Sequence, residues 1–146
     1  MSLYVIDTSV FNKLFLDEEG REETLLLFKY ASKGEILLTA PHLLYYEVIA
    51  TAQYYNLPIQ TISELLDNQL SNNLKLTEPT KEERTKALEI IQTGHKRSGF
   101  PSIYDATFHG MAIVQNGTFV TADKKHYAKA KELGHILLLD ELKGIL

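Results

Sequence analysis

The stretch "LYVIDTSVF", residues 3–11, decides how this chain is read. Leu3, Tyr4, Val5 and Ile6 form a continuous apolar run, the pattern of a strand buried on both faces of a parallel sheet. Asp7 closes the run, and Thr8 and Ser9 follow it. A carboxylate at the end of a buried strand has two explanations. It caps the next helix, since Asp accepts well from the free N–H groups of a first turn. Alternatively it faces a ligand, because open parallel sheets bind ligands outside the carboxyl ends of their strands.

The same grammar recurs along the chain. "EILLTAP" (35–41), "TFVTAD" (118–123) and "HILLLD" (135–140) predict further strands, and "LKLTEP" (74–79) a shorter one. Between them, apolar residues recur at helical spacing in "SVFNKLFL" (9–16), "REETLLLFKYASKG" (21–34), "HLLYYEVIATAQYYN" (42–56) and "PIQTISELLDNQLSNN" (58–73). "TKEERTKALEIIQTGHKRSG" opens on Thr80 and Glu83 in capping-box spacing and predicts a helix to about Gly94 or Gly99. "PSIYDATFHGMAIVQNG" (101–117) and "KKHYAKAKELG" (124–134) predict the last two helices. Strands alternating with helices, with strands apolar throughout, predict an α/β/α three-layer sandwich with a central, mainly parallel sheet. No repeat or long linker divides the sequence, so residues 1–146 are expected to form one domain.

Composition narrows the function. Hydrophobic residues are 45% and charged residues 23%, the balance of a soluble globular protein. With no cysteine, disulfides and thiolate metal sites are excluded. There is no run of 18 apolar residues and no basic leader before an apolar segment, so a cytoplasmic protein without a membrane segment is expected. The net charge of -4 argues against a uniformly basic surface but leaves room for acids that hold cations.

Four acids stand out. Asp7 and Asp123 sit at strand ends and so belong to one rim of the sheet, or each is simply a helix cap. Glu47 interrupts "LLYYEVIA", and Asp105 lies near the start of "SIYDATFHGMAI". The plainer account of Glu47 is an exposed helical glutamate, and that of Asp105 is a partner to Ser102 in a loose capping box. Convergence of all four would be repulsive unless a cation joined them. Mg²⁺ and Mn²⁺ prefer such oxygen ligands, whereas soft metals would find no cysteine here and no paired histidines at zinc spacing. Carboxylates around hydrated Mg²⁺ or Mn²⁺ suit hydrolysis of a phosphodiester.

Taken in order, "YVIDTSVF", "APHLLYYEVIAT", "SIYDATFHGMAI" and "TFVTADKKHYAKAKELG" resemble the motifs of PIN-domain ribonucleases, especially the VapC-type toxins of toxin–antitoxin pairs. The resemblance spans nearly the whole chain. It implies a PIN-like fold and a Mg²⁺- or Mn²⁺-dependent endoribonuclease that leaves 5′-phosphate and 3′-hydroxyl ends. It also implies an RNA substrate, a cognate antitoxin and a homodimer. By position, Asp7, Glu47 and Asp105 would be the core catalytic and metal-binding acids, with Asp123 a more variable fourth. Hydroxyls near the first and fourth acids support such sites, which singles out Thr8, Ser9 and Thr121. Lys96, Arg97, Lys124 and Lys125 are expected RNA contacts if they are more than solvated surface.

His109, four residues after Asp105 on the same helix face, is a partner supporting the site, a further RNA contact, or simply a packed or solvent-facing histidine. Tyr45, Tyr46, Tyr54 and Tyr55 could stack on bases, form a partner face or pack in the core. Three alternatives stand beside the toxin: a housekeeping RNA-processing nuclease, an inactive PIN-like binding module, and unrelated phosphate chemistries. The last lack support, because Asp7 has no acidic neighbour for a receiver site. Ser9 also stands where a haloacid-dehalogenase-type phosphatase needs its second aspartate.

Overall fold

A computed structural model describes residues 1–94 and 96–146. Among these residues five strands, β1 (Ser2–Ile6), β2 (Ile36–Pro41), β3 (Leu74–Thr77), β4 (Thr118–Thr121) and β5 (Ile136–Leu138), form one sheet. All pairings are parallel, in the order β3-β2-β1-β4-β5. Strands β2 and β3 build outward from one side of β1, and β4 and β5 from the other. The order therefore reverses between β1 and β4, which is where a crevice opens above the carboxyl ends of such a sheet.

Among the described residues, seven α-helices cover it: α1 (Thr8–Phe11), α2 (Arg21–Ser32), α3 (Leu43–Tyr54), α4 (Ile59–Asn72), α5 (Lys81–Ile91), α6 (Ile103–Val114) and α7 (Lys124–Ala130). Right-handed crossovers put the helices of the β1-to-β2-to-β3 connections on one face and those leading to β4 and β5 on the other. The central strands are buried accordingly: Val5, Ile6, Ala40, Phe119 and Val120 are all 0% exposed. On one side Phe11 meets Phe28 edge-on, and on the other Phe108 stacks on Phe119. Among the described residues, no helix is long and apolar enough to cross a membrane.

Most elements follow their expected bounds, and several are shorter: α7 ends at Ala130 with a 3-10 turn at Lys131–Leu133 after it, β5 ends at Leu138, and two helices stop well short. The segment after Asp7 makes one α-helical turn and then tightens into a 3-10 turn at Asn12–Leu14, where Asn12 Nδ2 donates to Thr51 Oγ1 on α3 at 3.2 Å. The helix begun by Thr80 has the expected capping box but stops at Ile91. Beyond it, Gly94 lies under the Phe100 ring, and a Cβ there would meet the ring at 2.7 Å. Glycine is itself a poor helix residue.

Gly117 is likewise required, because it brings the start of β4 against β1. A Cβ on it would stand 2.7 Å from the Leu3 carbonyl oxygen, a backbone atom that cannot swing aside. Gly117→Ala is expected to lower stability by about 1–3 kcal/mol, the usual range for forcing a methyl group into a packed site. Chemical denaturation checks this, and an unchanged midpoint would show that the two strands can part without cost.

Candidate metal centre

Asp7 is the most buried of the four acids. It follows β1 directly and is only 5% exposed. Its Oδ1 accepts from Ser9 Oγ at 2.5 Å and from the Val10 N–H at 3.1 Å, and its Oδ2 accepts from Thr121 Oγ1 at 2.5 Å. Asp7 therefore does cap α1, as the plainer reading held, while its other oxygen reaches across the reversal point to β4. Both supporting hydroxyls are themselves anchored. Ser9 Oγ accepts from the Ala122 N–H at 3.3 Å and Thr121 Oγ1 from the Asp123 N–H at 3.0 Å. Thr8 supports a different acid, donating to Glu47 Oε1 at 2.6 Å.

The electrostatics tie three acids together. Burial pushes the Asp7 carboxyl up from 3.8 to about 6; the bonds from Ser9, Thr121 and Val10 oppose this, and the charge of Asp105 adds to it. Burial likewise raises Glu47, against the Thr8 hydrogen bond, with Asp105 again adding to the rise. Asp7 on β1, Glu47 on α3 and Asp105 on α6 thus share one electrostatic neighbourhood although they come from three separate elements.

Asp123 stands differently. It is exposed, and its Oδ1 accepts the backbone N–H groups of Lys125 at 2.9 Å and His126 at 3.2 Å. The helix-cap reading holds for this oxygen, and Asp123 is linked to Asp7 through Thr121, whose Oγ1 accepts from the Asp123 N–H and donates to the Asp7 carboxylate.

The donor set fits a hard cation. Hydroxyls and one backbone N–H hold Asp7 and Glu47, so their negative charge is oriented without being neutralised. Among the described residues, no three acids or histidines close into a ready-made ligand cage.

The basic residues divide. Arg97, Lys124 and Lys125 line one groove of about 490 Å³ with Ser98, Ala128 and Lys129. Lys129 belongs to this cationic face although only α7's helical repeat, which carries it round to Lys125, could have indicated it. Lys96 is exposed on the same loop. His109 corrects the expectation of an RNA contact: it is 0% exposed, its Nε2 lies 2.8 Å from the Gly134 carbonyl oxygen, and burial lowers its pKa to about 4. The tyrosines divide as well, with Tyr46, Tyr54 and Tyr55 exposed while Tyr45 packs partly against the core.

One residue went unnoticed in the sequence. His126 is 2% exposed, and its Nδ1 lies 3.5 Å from Asp105 Oδ2. Burial lowers its pKa, against the pull of Asp105 and Asp123. Nothing in "ADKKHYAK" separates it from a surface histidine, because its depth depends on how α7 meets α6.

Residues 4–132 match the PIN domain family. The chain belongs to that family, the nuclease family its motifs resemble. Similar solved structures include VapBC2 from Rickettsia felis bound to a DNA fragment from their promoter, at TM-score 0.67 and 14% identity, covering 93% of this chain and 96% of that one. VapC20 of Mycobacterium tuberculosis, a Sarcin-Ricin loop cleaving toxin, matches at TM-score 0.64 and 13% identity, covering 86% and 93%. A toxin–antitoxin complex from Klebsiella pneumoniae matches at TM-score 0.62 and 15% identity, covering 95% and 98%. At these identities the likeness speaks for the fold. No curated protein sequence matches the chain.

The raised Asp7 pKa has a consequence for stability. Between its unfolded value of 3.8 and its folded value of about 6, the native state binds the extra proton, so this group favours folding more as pH falls. Above that window the buried charge costs up to about 3 kcal/mol, from the size of the shift. Asp7→Asn in metal-free protein is therefore expected to unfold at higher denaturant than the parent at pH 8, with the advantage shrinking by pH 5. An equal difference at both pH values would mean that Asp7 titrates like an exposed aspartate.

Proposed function

We propose that this chain is a divalent-metal-dependent endoribonuclease and the toxin of a VapBC-type pair, with all 146 residues acting as one domain. The observation that carries the proposal is that Asp7, buried where the strand order reverses, and Glu47 on α3 both feel the charge of Asp105 on α6. Asp7, Glu47 and Asp105 would hold Mg²⁺ or Mn²⁺, with Asp123 at the rim as an outer ligand. When bound, the ion supplies an activated water and neutralises charge on the phosphodiester.

The chain's own residues do the rest. Ser9 and Thr121 fix both oxygens of Asp7, and Thr8 fixes one oxygen of Glu47, so the carboxylates are oriented before substrate arrives. The groove lined by Arg97, Lys124, Lys125 and Lys129 offers cations to a phosphate backbone, and Lys96 lies on the loop that carries Arg97. An antitoxin as partner is supported by the VapBC and toxin–antitoxin structures that share this fold. A homodimer is proposed on the family resemblance.

Purified protein is expected to cleave RNA with Mg²⁺ or Mn²⁺, to stop with EDTA, and to lose about a hundredfold or more in rate with Asp7→Asn, since loss of an outer-shell partner alone costs about 10–100-fold and Asp7 would be a direct ligand. An Asn variant that cuts as fast as the parent overturns the assignment. Expression of the parent alone should slow growth, and unaffected growth at full cleavage activity would favour a housekeeping role.

The basic groove makes a separate prediction. Replacing Lys124 and Lys125 by Ala should weaken single-stranded RNA binding and reduce the slope of log K against log salt by about 0.7 per lysine that contacts phosphate. An unchanged slope in a filter-binding titration would remove these lysines from the interface.

A further inference from the structure

We infer that His126 is a positioning residue for Asp105, selecting which carboxylate oxygen is presented to the cation; this rests on the metal-centre reading above. Asp105 Oδ2 receives two contacts, from Ser102 Oγ at 3.2 Å and from His126 Nδ1 at 3.5 Å. Both fall on the same oxygen, and neither uses Oδ1. A carboxylate pinned through one oxygen presents the other, so Oδ1 is the atom turned toward the cation.

The chemistry of the partners fixes the tautomers. A carboxylate only accepts, so a proton on His126 Nδ1 would face Asp105 Oδ2; at 3.5 Å the pair is an electrostatic contact and not a hydrogen bond, and Nε2 has no hydrogen-bond partner among the described residues. His109 has the opposite arrangement, with Nε2–H donating to the Gly134 carbonyl and Nδ1 unpartnered. Leaving imidazole nitrogens buried and unpaired is costly, and packing alone does not account for it.

What the packing does is hold the ring still. His126 meets Phe119 and His109 at ring-centroid distances of 5.6 and 6.2 Å, both edge-on. His109 in turn lies 5.6 Å from Phe119. The backbone N–H of His126 donates to Asp123 Oδ1 at 3.2 Å. One residue thus joins α7's cap to the acid of α6: its main chain is bonded to Asp123 and its ring faces Asp105.

A phenylalanine at 126 would fill the same aromatic seat without a nitrogen. An asparagine would lose the packing but keep a donor at the position of Nδ1. These two variants separate a positioning role from a filling role, because stability and metal affinity should move in opposite directions. Mn²⁺ binding is measured by calorimetry, without RNA, beside thermal unfolding of the metal-free proteins. His126→Phe is expected to keep or raise the melting temperature and to weaken Mn²⁺ binding about tenfold, the lower end for loss of an outer-shell partner.

His126→Asn is expected to melt lower and to bind Mn²⁺ more tightly than the Phe variant. If His126→Phe binds Mn²⁺ within twofold of the parent, or if affinity simply follows stability across the variants, His126 is only core packing and the inference falls while the metal centre stands. If the parent binds no Mn²⁺, the metal-centre reading fails and takes this inference with it. Should the Phe variant not fold, His126→Asn against His126→Ala makes the same comparison: equal affinities would overturn the role.

Discussion

The structure depends on one constraint, the burial of the Asp7 carboxylate between β1 and β4. A charged group at 5% exposure is tolerated only if its oxygens are satisfied. Here they are met by two hydroxyls and a backbone N–H. Those donors come from both sides of the reversal in strand order, so β1 must lie beside β4 and in the register that pairs Ile6 with Val120. Gly117 permits that approach at the other end of the same pairing. The sheet order and the acid's hydrogen bonds are therefore one requirement seen twice.

Satisfying the oxygens does not neutralise the charge. Burial raises both Asp7 and Glu47, and the charge of Asp105 adds to the rise. The metal-free protein carries a local penalty that a bound cation would relieve, which is the usual exchange between stability and activity at a functional site. Around this cluster each acid has its own short-range support. Thr8 serves Glu47, Ser9 and Thr121 serve Asp7, and Ser102 and His126 meet on Asp105. Three consecutive residues, Asp7, Thr8 and Ser9, therefore contribute an acid and the partners of two acids. This follows from the tight turn after β1, which points neighbouring side chains in different directions.

Much of this was legible in advance. Short apolar runs closed by acids, separated by helical repeats, read directly as a parallel α/β sheet, because a strand covered on both faces has no reason to alternate. The helix caps at Thr80 and Ser102 were equally plain, since capping is a matter of spacing. Sequence reading failed where a side chain's surroundings are built by distant segments. His109 looks like an accessible partner of Asp105 on α6, but β4 and α7 close over it. His126 looks like one more polar residue in a lysine-rich helix, yet it is almost wholly buried. Asp123 resembles Asp7 in position and differs in role, because α7 takes its Oδ1 as a cap at an exposed strand end.

The sequence by itself determined the identity of the elements, the four acids and the hydroxyls beside them, and through the resemblance of its motifs the family to which the chain belongs. These are properties of local spacing and residue chemistry, which survive without knowing what packs where. Only the tertiary structure decided which acids share a field, which oxygen of each is already engaged, and which histidines are buried. Those depend on strand order and on the meeting of α6 with α7, contacts between residues far apart in the chain that no local pattern encodes.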